Sequence, residues 1–325
     1  MQTIALVGPF DPQIKVLMSQ MVPDGFVLKE IPTEGELHKL YDANYIILRV
    51  LGLNEQVINS IPNLRLIQRW GVGFDKVDIR AAGKRNIPVA ITSGMNAIPV
   101  SELTVLLILA VYRKLILLYK NVINGKWQKE NIASTTYTID GKTVGLIGLG
   151  SVGKQVARKV KAFGADVQYY DARRLSSAEE ETWGVKYAEL TDLLKMSDVI
   201  SLHLPLTDET RHLICKETIG LMKSSAVIIN TARGAIVKEE DLIEALQQKR
   251  IMGAGLDVFE REPPDKNNLL FQMDNVVVTP HIGGSTAEIS LNMAKRCIEN
   301  IIRISKGEEL LKVDVVNAQY LQSFS

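Results

Sequence analysis

Short apolar or β-branched runs alternate along the chain with longer amphipathic stretches. In the N-terminal third the runs predict strands at Thr3–Val7, Phe26–Glu30, Tyr45–Leu48, Leu64–Gln68 and Val89–Thr92. Between them, helix-like segments are predicted over Asp11–Met21, Gly35–Tyr41, Glu55–Ser60 and Asp78–Arg85. A long apolar helix is predicted from about Pro99 to Asn121, with Pro99 in the first turn, where its missing N–H costs nothing. After the polar stretch Asn131–Thr138 a second series begins, with strands predicted at Thr143–Ile147, Asp166–Tyr170, Val199–His203, Ala226–Asn230, Gly253–Leu256 and Val276–Thr279. A last helix, Thr286–Lys306, follows. Alternation of this kind implies parallel sheets covered by helices. The expectation is an α/β protein of two doubly wound parallel-sheet domains. One comprises residues 1–98 plus 288–325, the other residues 99–287, with the C-terminal helix returning to the first.

Composition narrows the function classes. A chain of 325 residues suits two domains of about 100–200 residues each. Lys and Arg number 38 against 37 Asp and Glu, a balance that argues against a nucleic-acid partner. The opening MQTIALVGPFDP lacks a basic segment leading into a long apolar one, so no secretory signal is expected. The most apolar run, Val105–Tyr112, is followed by Arg113 and Lys114 and falls far short of the ~20 residues that span a bilayer, so no membrane partner is expected. Two isolated cysteines, Cys215 and Cys297, and no H-x-x-x-H spacing give no disulfide scaffold and no metal site. A reduced, cytoplasmic protein is the expectation.

The sharpest local motif is VGLIGLGSVGKQVARKV, which sets Gly148, Gly150 and Gly153 in G-x-G-x-x-G spacing between a predicted strand and a helix. Glycines so placed permit a tight turn, backbone approach to a pyrophosphate, and close helix–strand packing. The helix N-terminus offers N–H groups to the phosphates. Asp171 closes the next predicted strand, near the ~20-residue interval expected of the acid that binds a ribose 2′-hydroxyl. That carboxylate favours NAD. Arg173 and Arg174, close behind, could soften its repulsion of a 2′-phosphate, which leaves NADP open.

Four segments gather polar groups at the ends of predicted strands: HLPLTDETRHLI, INTARGAIV, GLDVFEREPP and TPHIGG. In an open α/β sheet, ligands sit outside the carboxyl ends of strands. The segments carry Arg233, Glu262 and His281, the parts needed to reduce a 2-keto acid. An arginine clamps the carboxylate through its planar fork. A histidine supplies a proton to the carbonyl oxygen, and a glutamate orients it and favours its charged form.

With these residues in place, the chain resembles the D-isomer-specific 2-hydroxyacid dehydrogenase family over most of its length. The resemblance rests on MKSSAVIINTARGAIVKEEDLIEAL, LDVFEREP and TPHIGG, with QRWGVGFDKVD and NAIPVSELT upstream. It implies a flavodoxin-like substrate domain, a Rossmann NAD-binding domain, NAD as cofactor, a small 2-hydroxy or 2-keto acid as substrate, and a homodimer built on the apolar helix. It makes Arg233 the substrate clamp, Glu262 the partner of the histidine, and His281 the acid/base. Gly148, Gly150, Ser151, Val152, Gly153 and Asp171 would hold the pyrophosphate and adenosine ribose. Leu204 would line the adenine side, and Thr231, Ala232, Asp257, Gly283 and Gly284 would approach the nicotinamide. Val72 and Gly73 would offer N–H groups to the substrate carboxylate. Ser151 and Ser101 depart from the family's usual residues.

Within the family, the N-terminal loop and the available arginines lean toward oxidation of 3-phosphoglycerate, with hydroxypyruvate or glyoxylate reduction as the alternative. Arg49 and Arg69, at or near predicted strand ends, would then bind the phosphate. With only a short stretch after the last predicted helix, no C-terminal regulatory domain is expected. A different class is an NAD(H)-sensing corepressor, which this fold also hosts.

Overall fold

A computed structural model describes residues 1–322 apart from Gln128 and Asn131. The expected polar stretch at 131–138 therefore starts on a residue outside the described ones, as does the end of the expected 288–325 segment. The chain divides into two compact units, Met1–Asn96 with Ser285–Ser325, and Ala97–Gly284.

The first unit holds five parallel strands: β1 (Gln2–Val7), β2 (Phe26–Ile31), β3 (Tyr45–Leu48), β4 (Leu66–Arg69) and β5 (Val89–Ala90). Their order is β2-β1-β3-β4-β5, the flavodoxin-like winding. β1 from Ile4 and all of β3 are fully buried, because a parallel sheet is covered on both faces. One face packs Leu40, Ile58, Ile61 and Ala81, and the other packs Met18, Ala294, Ile298 and Ile301. Residues Glu34–Asp42 form 3-10 turns where an α-helix was expected. Gly35 weakens helix propensity in the first turn, and Thr33 bonds the Glu36 side chain without capping the backbone. β5 ends at Ala90, short of the expected Thr92, because the C-terminal segment takes over its pairing. Ala90 bridges Val315 antiparallel, and Ile91 N–H donates to Asp314 O at 2.8 Å. Fully buried Asn317 accepts from Val89 N–H at 2.8 Å and donates to Ile87 O at 2.9 Å.

The second unit starts with the helix Ala97–Tyr112, breaks, and resumes as Leu115–Ile123. A single helix to Asn121 was expected. Lys114 takes a left-handed conformation, φ 49°, at the break. Buried Tyr112 hydrogen-bonds Asp198 O at 3.3 Å, whereas the second segment buries none of its residues. The kink separates a core helix from a surface one. Seven parallel strands follow: β6 (Thr143–Ile147), β7 (Asp166–Tyr170), β8 (Lys186–Tyr187), β9 (Val199–Leu202), β10 (Val227–Asn230), β11 (Gly253–Leu256) and β12 (Val276–Val278). Their order, β12-β11-β10-β9-β6-β7-β8, is the Rossmann winding extended by one strand. It reverses at β6, where Ile147 stands beside Leu202 of β9 and Tyr170 of β7. Two-residue β8 was not expected. β9 and β12 each stop one residue early, so His203 and Thr279 already belong to the loops at the carboxyl edge.

Candidate active site

The glycine loop leaves the carboxyl end of β6. Gly148 sits at φ +96°, and a Cβ there would lie 2.6 Å from His203 O. One on Gly153 would lie 2.3 Å from Gly148 O, so the helix Ser151–Ala162 seats directly on the strand end. At Gly150 a Cβ would meet open space. That side of the loop is clear for a phosphate, and no side chain caps the helix start. The first N–H groups at Ser151, Val152 and Gly153 have no intrahelical acceptors. Asp171 closes the far side: its Oδ2 accepts from Leu149 N–H at 2.8 Å and its Oδ1 from Arg173 N–H at 3.0 Å. Each oxygen keeps a further lone pair, which suits a ribose diol. Arg174 is held elsewhere, 3.1 Å from Glu180 and 4.8 Å from the Tyr187 ring centre. Arg173 meets Asp171 through its backbone N–H.

Leu204 is half-buried on the core at the β9 end. Its neighbour His203 bonds Ser201 Oγ at 2.8 Å, and desolvation pulls the imidazole pKa down to about 3. His203 is a neutral wedge under the glycine loop.

Three further loops carry the polar residues. Beyond β10, buried Asn230 accepts from Ala232 N–H at 3.0 Å and donates to Arg233 O at 2.9 Å, closing a tight turn. Thr231 shares a 3.0 Å hydroxyl contact with Thr104, and Arg233 Nη1 donates to Ala232 O at 2.7 Å. Gly234 lets this turn lie against the next loop: a Cβ there would fall 1.8 Å from Phe259 O.

Beyond β11, Asp257 is 1% exposed and pins the TPHIGG loop. Its Oδ1 accepts from the Thr279 hydroxyl at 2.6 Å and Ile282 N–H at 2.9 Å, and its Oδ2 from Gly283 N–H at 2.8 Å. Its carbonyl takes His281 N–H at 2.7 Å, holding that residue at φ 54°. Gly283 is buried against this carboxylate and Gly284 follows it.

The result is a histidine–glutamate pair. His281 Nδ1 lies 2.8 Å from Glu262 Oε2, and Glu262 Oε1 accepts from Phe259 N–H at 3.2 Å. Burial acts to raise the Glu262 pKa. The His281 hydrogen bond and charge, the Phe259 N–H and the Arg233 charge outweigh it, and the carboxyl lies below its ordinary range. Glu262 is therefore ionised at neutral pH. It accepts the Nδ1 proton, which leaves Nε2 of a half-exposed ring to exchange a proton with a ligand.

Arg49, Arg69, Val72 and Gly73 belong to the other unit. Arg49 follows β3, donates to Pro9 O at 2.8 Å and lies 5.9 Å from the Phe10 ring centre. Arg69 ends β4, and its Nε donates to Gly73 O at 2.7 Å, shaping the loop that carries Val72 and Gly73. Sequence reasoning missed Asn230 and Gly234 as positioning residues. A polar residue closing an apolar strand, and a glycine just after the arginine, are the signals that mark them.

Residues 105–283 match the family model described as D-isomer specific 2-hydroxyacid dehydrogenase, NAD binding domain. The chain belongs to this family. A glyoxylate reductase from Thermococcus litoralis is 39% identical over 88% of this chain and 87% of its own length. A D-3-phosphoglycerate dehydrogenase from Methanocaldococcus jannaschii is 38% identical over 94% of this chain but 57% of its own. The crystal structure of D-lactate dehydrogenase from Aquifex aeolicus, complexed with NAD and lactic acid, superposes at a TM-score of 0.88 with 30% identity, covering 97% of this chain and 99% of that one. This D-2-hydroxyacid dehydrogenase is an NAD-dependent oxidoreductase, and both expected parallel-sheet domains are present. Among the described residues no cluster of three metal-ligating side chains occurs, and no helix is long and apolar enough to cross a membrane.

Proposed function

We propose that this dehydrogenase interconverts a small, unphosphorylated 2-keto acid, of the glyoxylate or hydroxypyruvate kind, with its D-2-hydroxy acid. The observation that carries the chemistry is the 2.8 Å His281–Glu262 pair. In reduction, protonated His281 gives its Nε2 proton to the keto oxygen, and ionised Glu262 holds the ring through Nδ1. In oxidation the same nitrogen takes the proton back. Arg233 binds the carboxylate and polarises the carbonyl. Bound NADH supplies the hydride. Gly148, Gly150, Ser151, Val152, Gly153 and Asp171 hold its pyrophosphate and ribose, Leu204 its adenine side, and Thr231, Ala232, Asp257, Gly283 and Gly284 its nicotinamide end.

The preference for an unphosphorylated acid is supported by the relatives. The glyoxylate reductase from Thermococcus litoralis is 39% identical over 88% of this chain, and relatives from Thermofilum pendens and Pyrococcus furiosus carry the same name. The 3-phosphoglycerate reading is favoured by the 38% identity to the Methanocaldococcus jannaschii enzyme. NADH oxidation with glyoxylate, hydroxypyruvate, pyruvate and 3-phosphohydroxypyruvate decides between them. The proposal expects the highest kcat/KM with glyoxylate or hydroxypyruvate. A preference for 3-phosphohydroxypyruvate reinstates phosphate binding by Arg49 and Arg69, and turnover of none leaves the NAD(H)-sensing reading.

The proposal includes a homodimer. Leu115, Tyr119, Val122 and Ile123 are exposed along one face of the helix Leu115–Ile123. Leu106 and Trp127, also exposed, add to the apolar surface of the same unit. A two-fold interface buries such a face against itself.

A further inference from the structure

A second histidine–glutamate pair draws its glutamate from the same loop as the first. His212 Nε2 lies 2.6 Å from Glu260 Oε1, and His212, like His281, has a left-handed backbone at φ 54°. Strained backbone of this kind persists where its surroundings over-determine it. Here His212 N–H donates to Ala235 O at 2.8 Å, Ile214 N–H to Ile236 O at 3.0 Å, and Ile214 bridges Val237 in parallel register.

Glu260 reaches further with its other oxygen. Oε2 accepts at 3.1 Å from the N–H of Glu239, first residue of the helix Glu239–Gln247. That helix has no side-chain cap of its own at Lys238, so Glu260 caps it from a neighbouring loop. Glu239 reciprocates: its Oε2 accepts from Glu260 N–H at 3.1 Å and its Oε1 from the Asn268 amide at 2.6 Å. The crossed carboxylates and His212 lace together the loops that leave β9, β10 and β11. The second of those loops carries Arg233. The third carries Glu262, two residues beyond Glu260 and hydrogen-bonded to Phe259 N–H.

We propose that Glu260, braced by His212 and Glu239, is a positioning residue that sets Glu262 beneath His281. This inference rests on the proton-transfer role given above to the His281–Glu262 pair. Glu260 touches neither; it acts by fixing the short stretch of backbone from which Glu262 projects.

Glu260→Ala and Glu260→Gln, each made alone and in a Glu262→Ala background, test the proposal. The alanine variant is expected to lose roughly 10–100-fold in kcat, the scale of a slightly misplaced catalytic group, with KM and the NADH dissociation constant little changed. Glutamine keeps an oxygen for Glu239 N–H and an amide N–H₂ for His212, and is expected to restore most of the activity. In the Glu262→Ala background, Glu260→Ala is expected to cost nothing more, because coupling through one residue is non-additive. Equal losses in both backgrounds, or glutamine no better than alanine, would overturn the proposal. Should Glu260→Ala not fold, His212→Ala keeps the helix cap and must still lower kcat only where Glu262 is present. If Glu262→Ala alone leaves kcat untouched, the proton-transfer reading falls and this inference with it, a result distinguishable from the others.

Discussion

At the scale of single residues, the chemistry rests on which atom of each side chain is already engaged. Glu262 occupies Nδ1 of His281, so the proposed proton exchange falls to Nε2. His281→Ala is expected to lower turnover roughly 10²–10⁴-fold, because it removes the proposed general acid/base. NADH affinity, measured by fluorescence titration, should stay near the parent value, since the glycine loop is untouched. Unchanged turnover would remove His281 from the mechanism. Asp171 holds the glycine loop through Leu149 N–H and keeps lone pairs for a ribose. Asp171→Ala is expected to narrow the preference for NAD over NADP, read as the ratio of the two kcat/KM values, by removing a carboxylate that repels a 2′-phosphate. With Arg174 tied to Glu180, Arg173 is the cation left to exploit that loss.

Elements are held in register by polar pins at both ends of the second sheet. Asp198, just before β9, accepts from Thr143 N–H at 2.9 Å and from Lys223 Nζ at 2.8 Å. Burial acts to raise its pKa, but the Lys223 and Thr143 hydrogen bonds and the charges of Lys223 and Lys142 prevail and lower it. A carboxylate with a lowered folded-state pKa stabilises the fold above its ordinary value and loses that contribution as pH falls through the lowered one. Asp198→Asn is therefore expected to cost about 1–3 kcal/mol at neutral pH, with the gap to the parent closing in acid; urea titrations at two pH values check this. At the carboxyl edge, Gly234→Ala would drive a methyl into Phe259 O and part the loops carrying Arg233 and Glu262. It is expected to cost about 1–3 kcal/mol and to depress kcat more than NADH binding, as thermal melts and steady-state kinetics would show. The strands were legible because apolar runs such as Tyr45–Leu48 and 227–229 are buried on both faces. The break at Lys114 was not, because Leu115–Leu118 continues the apolar run of a helix that has left the core. The contact of Glu262 with His281 was expected from their motifs. His212, Glu239 and Glu260 were not, since contacts across three loops leave no local pattern.

For the molecule as a whole, the proposed homodimer uses the exposed face of Leu115–Ile123. Tyr119→Glu with Ile123→Glu is expected to halve the mass seen by sedimentation equilibrium if two copies meet there, leaving the core unchanged because both residues are exposed. An unaltered mass would place the interface elsewhere. The first unit is made from both flanks of the second. Its Ile4, Leu6, Tyr45 and Leu66 lie against Ala294, Ile298 and Ile301, and its last strand is secured by Asn317. Order of synthesis then matters: when the final residue of Ala97–Gly284 is joined, that unit has every part it needs, while the earlier one still shows water an uncovered sheet face. On the ribosome, the middle of this chain can mature before its beginning does, and the nascent N-terminal third is the part that needs shelter from aggregation.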